Sequence, residues 1–182
     1  MRVFGIGAGR AGSVTFTLAM AKAGNYTTGH ESHRGDFRAM SSLDYPDSHV
    51  EVDNRLSWFL PALGEKYPDD VLWVHLRRDL EMQAISYSKR HTWKGALVLA
   101  YGHGLMQRGR EYTDEELPEV ALAMVTNITA NVEAFCRDKP SVDVWIEDPE
   151  PGFRHVWDMA HAQGDIEEAL AQYQTKHNAS SA

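Results

Sequence analysis

The chain has 182 residues, 43% hydrophobic and 24% charged, with a formal net charge of −8 and a single cysteine, Cys136. That length and balance fit one globular domain with a sizeable core. The acidic excess argues against general nucleic-acid affinity and leaves room only for a local basic pocket, and one cysteine excludes an internal disulfide and most cysteine-based metal sites.

Residues 2–7 predict a first strand, and Ser13 to about Ala23 a first helix with Phe16, Leu18, Ala19 and Met20 on its apolar face. Between them lies Gly7-Ala8-Gly9-Arg10-Ala11-Gly12, a glycine-rich turn feeding a helix start. Helix N-termini carry unpaired N–H groups and partial positive charge, and glycines let those amides close on a phosphate. Residues 25–30 predict a short second strand ending at His30-Glu31, followed by a polar, irregular 32–48 segment. His49 to Val52 alternates as a strand, and Arg55 to Lys66 predicts a helix distorted at Pro61. Val71 to Leu76 is the clearest strand, ending in Arg77-Arg78-Asp79, where the next helix begins. A helix is expected over 95–108 and a long one over Pro118 to Arg137, then a strand over Val142 to Ile146 and one or two helices over 152–174. Trp58, Phe59, Trp73 and Trp145 are expected in the core.

Strands alternating with helices predict a three-layer α/β domain over 1–174, with a mostly parallel central sheet between helices and a flexible tail over 175–182. Ligands of such sheets gather beyond the carboxyl ends of the strands, where Gly9 to Ser13, His30-Glu31 and Arg77 to Ser86 all fall. No apolar run approaches the roughly 20 residues of a membrane helix, and no basic-then-apolar leader opens the chain; a cytoplasmic protein is expected.

The glycine-rich turn satisfies two templates. Gly7-x-Gly9-x-x-Gly12, with Glu31 about 20 residues on, fits a dinucleotide fingerprint; Gly7-x4-Gly12 after a strand resembles a P-loop without its lysine. The second strand is short and polar, and the 32–48 segment lacks the apolar strands a dinucleotide half-site needs next. Arg10-Ala11-Gly12-Ser13-Val14-Thr15 instead resembles the 5′-phosphosulfate loop of the sulfotransferases, usually Lys/Arg-Ser-Gly-Thr-Thr. Val74-His75-Leu76-Arg77-Arg78-Asp79-Leu80, then Ser86-Tyr87, is similar to their 3′-phosphate motif, in which a serine follows eight residues after an arginine at a strand end. The resemblance covers roughly residues 2–90. It departs at Leu80, where proline is usual, at Val14, where a second hydroxyl is common, and in lacking a C-terminal Arg-Lys-Gly segment.

The resemblance implies a P-loop-NTPase-like fold and a transferase of compact type. It would move a sulfuryl group from 3′-phosphoadenosine 5′-phosphosulfate (PAPS) to a small-molecule or glycan-like acceptor, without a metal. Gly9, Arg10, Ala11, Gly12, Ser13, Val14 and Thr15 would hold the 5′-phosphosulfate, with Arg10 also neutralising the leaving phosphate. Arg78 and Ser86 would grip the 3′-phosphate as a separate clamp. Glu31 fits the place of the family's general base best, with His30 beside it and His49, Glu51, Asp53 and His75 as further candidates. Arg34, Arg38 and Arg55 are candidates for an anionic acceptor, and Trp93 or Tyr87 for stacking on adenine. The alternatives are an NAD(P)- or FAD-binding oxidoreductase and a non-catalytic nucleotide-binding module. The sequence leaves the oligomeric state open.

Overall fold

A computed structural model describes residues 1–33, 43–92, 96–107, 109–175 and 177. Arg34, Arg38 and Trp93 lie outside these residues, as does the 34–42 part of the polar loop.

The strands β1 (Arg2–Ile6), β2 (Thr27–His30), β3 (His49–Val52), β4 (Val71–Arg77) and β5 (Ser141–Trp145) form one sheet in the order β2-β3-β1-β4-β5. Every pairing is parallel. Burial follows position. β3 is buried throughout and β4 in all but Arg77, as strands covered on both faces must be. β5, at one edge, alternates buried Val142 and Val144 with exposed Asp143 and Trp145. The order is not the 3-2-1-4-5-6 of dinucleotide-binding sheets, because β1 here neighbours β3 and not β2.

The helices are α1 (Ser13–Met20), α2 (Leu60–Lys66), α3 (Leu80–Ser88), α4 (Leu97–Ala100), α5 (Leu117–Cys136), α6 (Pro149–Met159) and α7 (Ile166–Leu170). They cover the sheet in two layers. On one face Phe4, Ile6 and Trp73 pack with α2 to α5 through Leu63, Tyr87, Val98 and Met124. On the other, Val3, Val52, Leu72 and Val74 pack with α1, α6 and α7 through Phe16, Phe153 and Ala169. The expected three-layer α/β domain with a parallel sheet is what the chain forms.

Four local expectations change. The segment after β3 is split: Asp53 caps a 3₁₀ turn over Asn54–Trp58, and Pro61 sits in the first turn of α2, where its missing N–H costs no hydrogen bond. The 95–108 stretch is the short α4 followed by a π-helical turn over Tyr101–Leu105, closed by the Met106 amide on the Tyr101 carbonyl (3.0 Å). The first helix ends at Met20, short of Ala23. Trp58 (39% exposed) and Trp145 (42%) are not core residues; one ends the 3₁₀ turn, and the other ends an edge strand beneath the Arg77 guanidinium, 4.6 Å from its ring centroid.

Candidate functional site

The parallel registers set Ile6 beside His75, Gly5 and His30 beside Val52, and Arg77 beside Trp145. Gly7, Glu31, Asp53, Arg78 and Ile146 therefore leave the sheet along one edge. After β1 the chain turns to α1 on one face; after the adjacent β4 it turns to α3 on the other. Loops that part to opposite faces from neighbouring strands leave a crevice between them. A cleft of about 500 Å³ lies there. Its α1 side is formed by Arg10, Gly12, Ser13, Val14 and Thr15, and its α3 side by Arg78, Ser86 and Lys89.

The glycine-rich loop is held from the α3 side. The Tyr87 hydroxyl donates to the Ala8 carbonyl, the Gln83 amide to that of Gly9, and Arg78 Nη1 to that of Arg10 at 3.1 Å. A trans peptide points its N–H opposite to its C=O. Fixing these three carbonyls thus turns the amides of Gly9, Arg10 and Ala11 away from α3. Arg10 is left-handed (φ 58°), as is Glu31 (φ 51°). Such backbone is uncommon outside glycine and persists where its surroundings enforce it.

Two glycines have no substitute. The Gly7 amide donates to Ser57 Oγ and the Gly7 carbonyl accepts from it, both at 2.9 Å, while a Cβ on Gly7 would come within 2.7 Å of the Leu76 carbonyl. Gly12 caps α1 at φ 80°, with no side chain capping the helix, and a Cβ there would collide with Ile146. The N-terminus of α1, without an acidic residue in its first turn, thus opens into the cleft.

The charge of the cleft runs against that of the chain. Among the described residues, Arg10, Arg78 and Lys89 line it together with one carboxylate, Glu147, whose Oε1 accepts from the Asp79 amide (3.1 Å). Burial, and then the nearby charges of Arg90 and Arg78, hold the Arg10 guanidinium below its ordinary value, with Tyr87 opposing. An arginine stays protonated under such shifts. Like charges gathered in this way gain from a bound anion.

Arg78 and Ser86 do not form a clamp apart from the loop, as the sequence suggests: both bind Arg10, Arg78 through the Arg10 carbonyl and Ser86 Oγ by accepting from Arg10 Nε (3.0 Å). Gly9 and Ala11 do not line the cleft; Ala11 is buried in the core. His30 and Glu31 stand outside the lining as well. His30 Nε2 lies 3.1 Å from Oγ of Ser13, a residue that does line the cleft. Glu31 donates its amide to the Val52 carbonyl (3.1 Å), and its carboxylate lies near enough to help raise Arg55 and, secondary to burial, the Tyr87 phenol.

The other base candidates are enclosed. Asp53 is fully buried and paired with Arg55, with Nη2 to Oδ2 at 2.5 Å. Arg55 is thereby committed to Asp53 as well as standing near Glu31. Glu51 is fully buried, accepting from the Ser32 amide (3.0 Å) and hydroxyl (2.6 Å) and pairing with His49 (3.3 Å). Burial pushes the Glu51 carboxyl up, but these hydrogen bonds outweigh it and hold it below its ordinary value. His75, buried, pairs with Asp143 at 3.5 Å.

Sequence reasoning did not single out Ser57, Gln83, Lys89, Arg90, Ile146, Glu147, Tyr173, Thr175 or His177. For Gln83, Ser86, Tyr87 and Arg90 a signal exists: their 0, 3, 4, 7 spacing puts them on one helical face. For the others none does, because their roles rest on distant contacts. Among the described residues no group of three or more His, Cys, Asp or Glu is placed to hold a metal ion, and no helix is long and apolar enough to cross a membrane. No protein-family model matches the chain, and the search of curated proteins found no match.

Proposed function

We propose that the chain is a PAPS-dependent sulfotransferase. The observation that carries this reading is one cleft lined by both segments that resemble the family, Arg10 to Thr15 and Arg78 with Ser86, which are joined through Arg10. Two anion-binding groups in one cleft suit a nucleotide phosphorylated at both ends. A parallel sheet whose first strand neighbours the third and fourth supports this over the oxidoreductase reading.

The residues present fit such a nucleotide. The amides of Gly12, Ser13 and Val14 stand at the α1 N-terminus for the 5′-phosphate, and the Ser13 and Thr15 hydroxyls add donors. Arg10 balances charge on the leaving phosphate oxygen, and Arg78 with Ser86 takes the 3′-phosphate. In the transfer, the sulfur–oxygen bond to the phosphate breaks, one to the acceptor oxygen or nitrogen forms, and the acceptor's proton passes to a base of the chain. His30, whose Nε2 lies 3.1 Å from Oγ of the cleft-lining Ser13, and Glu31, on the Arg55 and Tyr87 side, are the groups proposed for that base.

Calorimetric titration with adenosine 3′,5′-bisphosphate, ATP and NADH tests the reading. The bisphosphate is expected to bind tightest. Arg78→Ala is expected to weaken it roughly ten- to hundredfold, the loss of one charge-assisted hydrogen-bonding group worth about 1.5–3 kcal/mol. Binding of NADH without the bisphosphate would overturn it.

A further inference from the structure

The third wall of the cleft differs in chemistry from the other two. Tyr173, in the 3₁₀ turn Ala171–Gln174 that follows α7, lines it together with His177, from a stretch whose sequence suggests only a tail. Tyr173 Oη and His177 Nε2 are both buried and, among the described residues, have no hydrogen-bond partner. Buried polar atoms are nearly always paired, so two orphans in one cleft wall call for a ligand. Nothing marks them as a further phosphate site. The same cleft carries apolar side chains, Ile146 beyond β5 and Met82 (50% exposed) and Ile85 (44%) one turn apart on α3, alongside the polar Lys89, Thr175 and Glu147. Burial pushes the Tyr173 phenol up, so it stays neutral and can both donate and accept. Apolar side chains with a few convergent polar atoms are the chemistry that takes a flat heteroaromatic ring, and methionine adds a favourable sulfur contact to its face.

We infer that Tyr173 and His177 read the nucleobase: the Tyr173 hydroxyl and the His177 imidazole bond the polar edge of a purine whose faces rest on Ile146, Met82 and Ile85. This rests on the nucleotide reading of the cleft and adds the group that would make it selective. The Tyr173 ring is fixed independently, edge-on to Phe153 with centroids 5.5 Å apart, so its hydroxyl is placed before any ligand arrives.

The test is titration of wild type, Tyr173→Phe and His177→Ala with adenosine 3′,5′-bisphosphate and with its base-free analogue, ribose 3,5-bisphosphate, alongside thermal melts of the free proteins. Each variant is expected to weaken the nucleotide about fivefold or more and to leave the base-free compound unchanged. Tyr173→Phe, which removes an unpartnered hydroxyl, is expected to melt no lower than wild type, a result that separates a binding role from a structural one. If wild type binds the nucleotide and both variants bind it equally well, the inference falls while the nucleotide reading stands. Equal loss of both ligands would make these residues phosphate contacts and also overturn it. If wild type binds neither ligand, the nucleotide reading falls first and takes this one with it.

Discussion

Ser57→Ala separates the architecture of the loop from any ligand. The Ser57 hydroxyl accepts from the Gly7 amide and donates to the Gly7 carbonyl, each at 2.9 Å, and both residues are buried. Alanine keeps the methylene and removes both bonds, leaving two buried backbone groups without this partner. Each orphan costs about 1–3 kcal/mol, so a total of about 2–6 kcal/mol is expected with the 3₁₀ turn in place. With a urea slope of about 2–3 kcal/mol per molar, the unfolding midpoint should fall by about 1–2 M at unchanged slope. Ser88→Ala is the control: its hydroxyl donates to the Ile85 carbonyl (3.0 Å) at an exposed site, and its loss should cost under about 0.5 kcal/mol. A midpoint for Ser57→Ala no lower than that of Ser88→Ala would refute the argument. Under the nucleotide reading, bisphosphate affinity should also drop, because Gly7 sets the exit of β1 into the loop.

Two further outcomes depend on titrating groups away from the cleft. Cys136 is buried, and desolvation pushes its thiol up to about 11; at pH 7 its thiolate fraction is then roughly 300-fold below that of a free cysteine. Iodoacetamide should therefore label the folded chain at least about a hundredfold more slowly than the urea-unfolded chain, and rates within tenfold would contradict this placement. Glu51 and Asp143 are both held below their ordinary values in the fold, Glu51 by His49 and Ser32 against its burial and Asp143 chiefly by His75. A lowered carboxyl contributes stability that is complete above its unfolded pKa and lost as pH falls through the folded one. Urea midpoints should thus hold from pH 8 to about 5 and fall below about pH 4.5, with a shallower fall in Glu51→Gln; parallel wild-type and mutant profiles would refute the assignment.

What the sequence made legible follows from locality. β4 could be read because a central parallel strand is apolar on both faces, and α5 because its buried Val120, Met124, Ile128 and Val132 keep helical spacing over twenty residues. The loop and the arginine at the end of β4 were legible because the chemistry of a strand end is compact in sequence. Strand order was not, although it bears directly on the choice between the two templates, because it is set by which helix covers which face. Ser57 and Gln83 were equally hidden: each grips a loop 50 or more residues away. The C-terminal wall was not legible either: Tyr173 falls in the predicted closing helices and Thr175 and His177 in the predicted tail, of which residues 176 and 178–182 lie outside the described residues. Tyr173 is held there by packing against Phe153 and α1 on the far face of the sheet.

The same locality explains why the two segments proposed to bind the nucleotide's anionic groups cannot be treated as separate parts. Arg78 lies 68 residues from Arg10 in sequence, yet parallel pairing of β1 with β4 sets their loops side by side. With the Arg78 guanidinium on the Arg10 carbonyl and the Ser86 hydroxyl on the Arg10 side chain, one residue meets both halves. A phosphate drawing the Arg78 fork toward itself would compete with the bond to the Arg10 carbonyl, and would bear on the peptide whose amide belongs to Ala11. Occupation of one end would then alter the loop at the other, and substitutions at Arg10 and Arg78 would not add. The affinity lost in Arg78→Ala accordingly contains two contributions, the contact with the anion and the contact with the loop. Gln83 and Tyr87 still hold the carbonyls of Gly9 and Ala8 in that variant, so most of the loop keeps its shape and the larger contribution belongs to the anion.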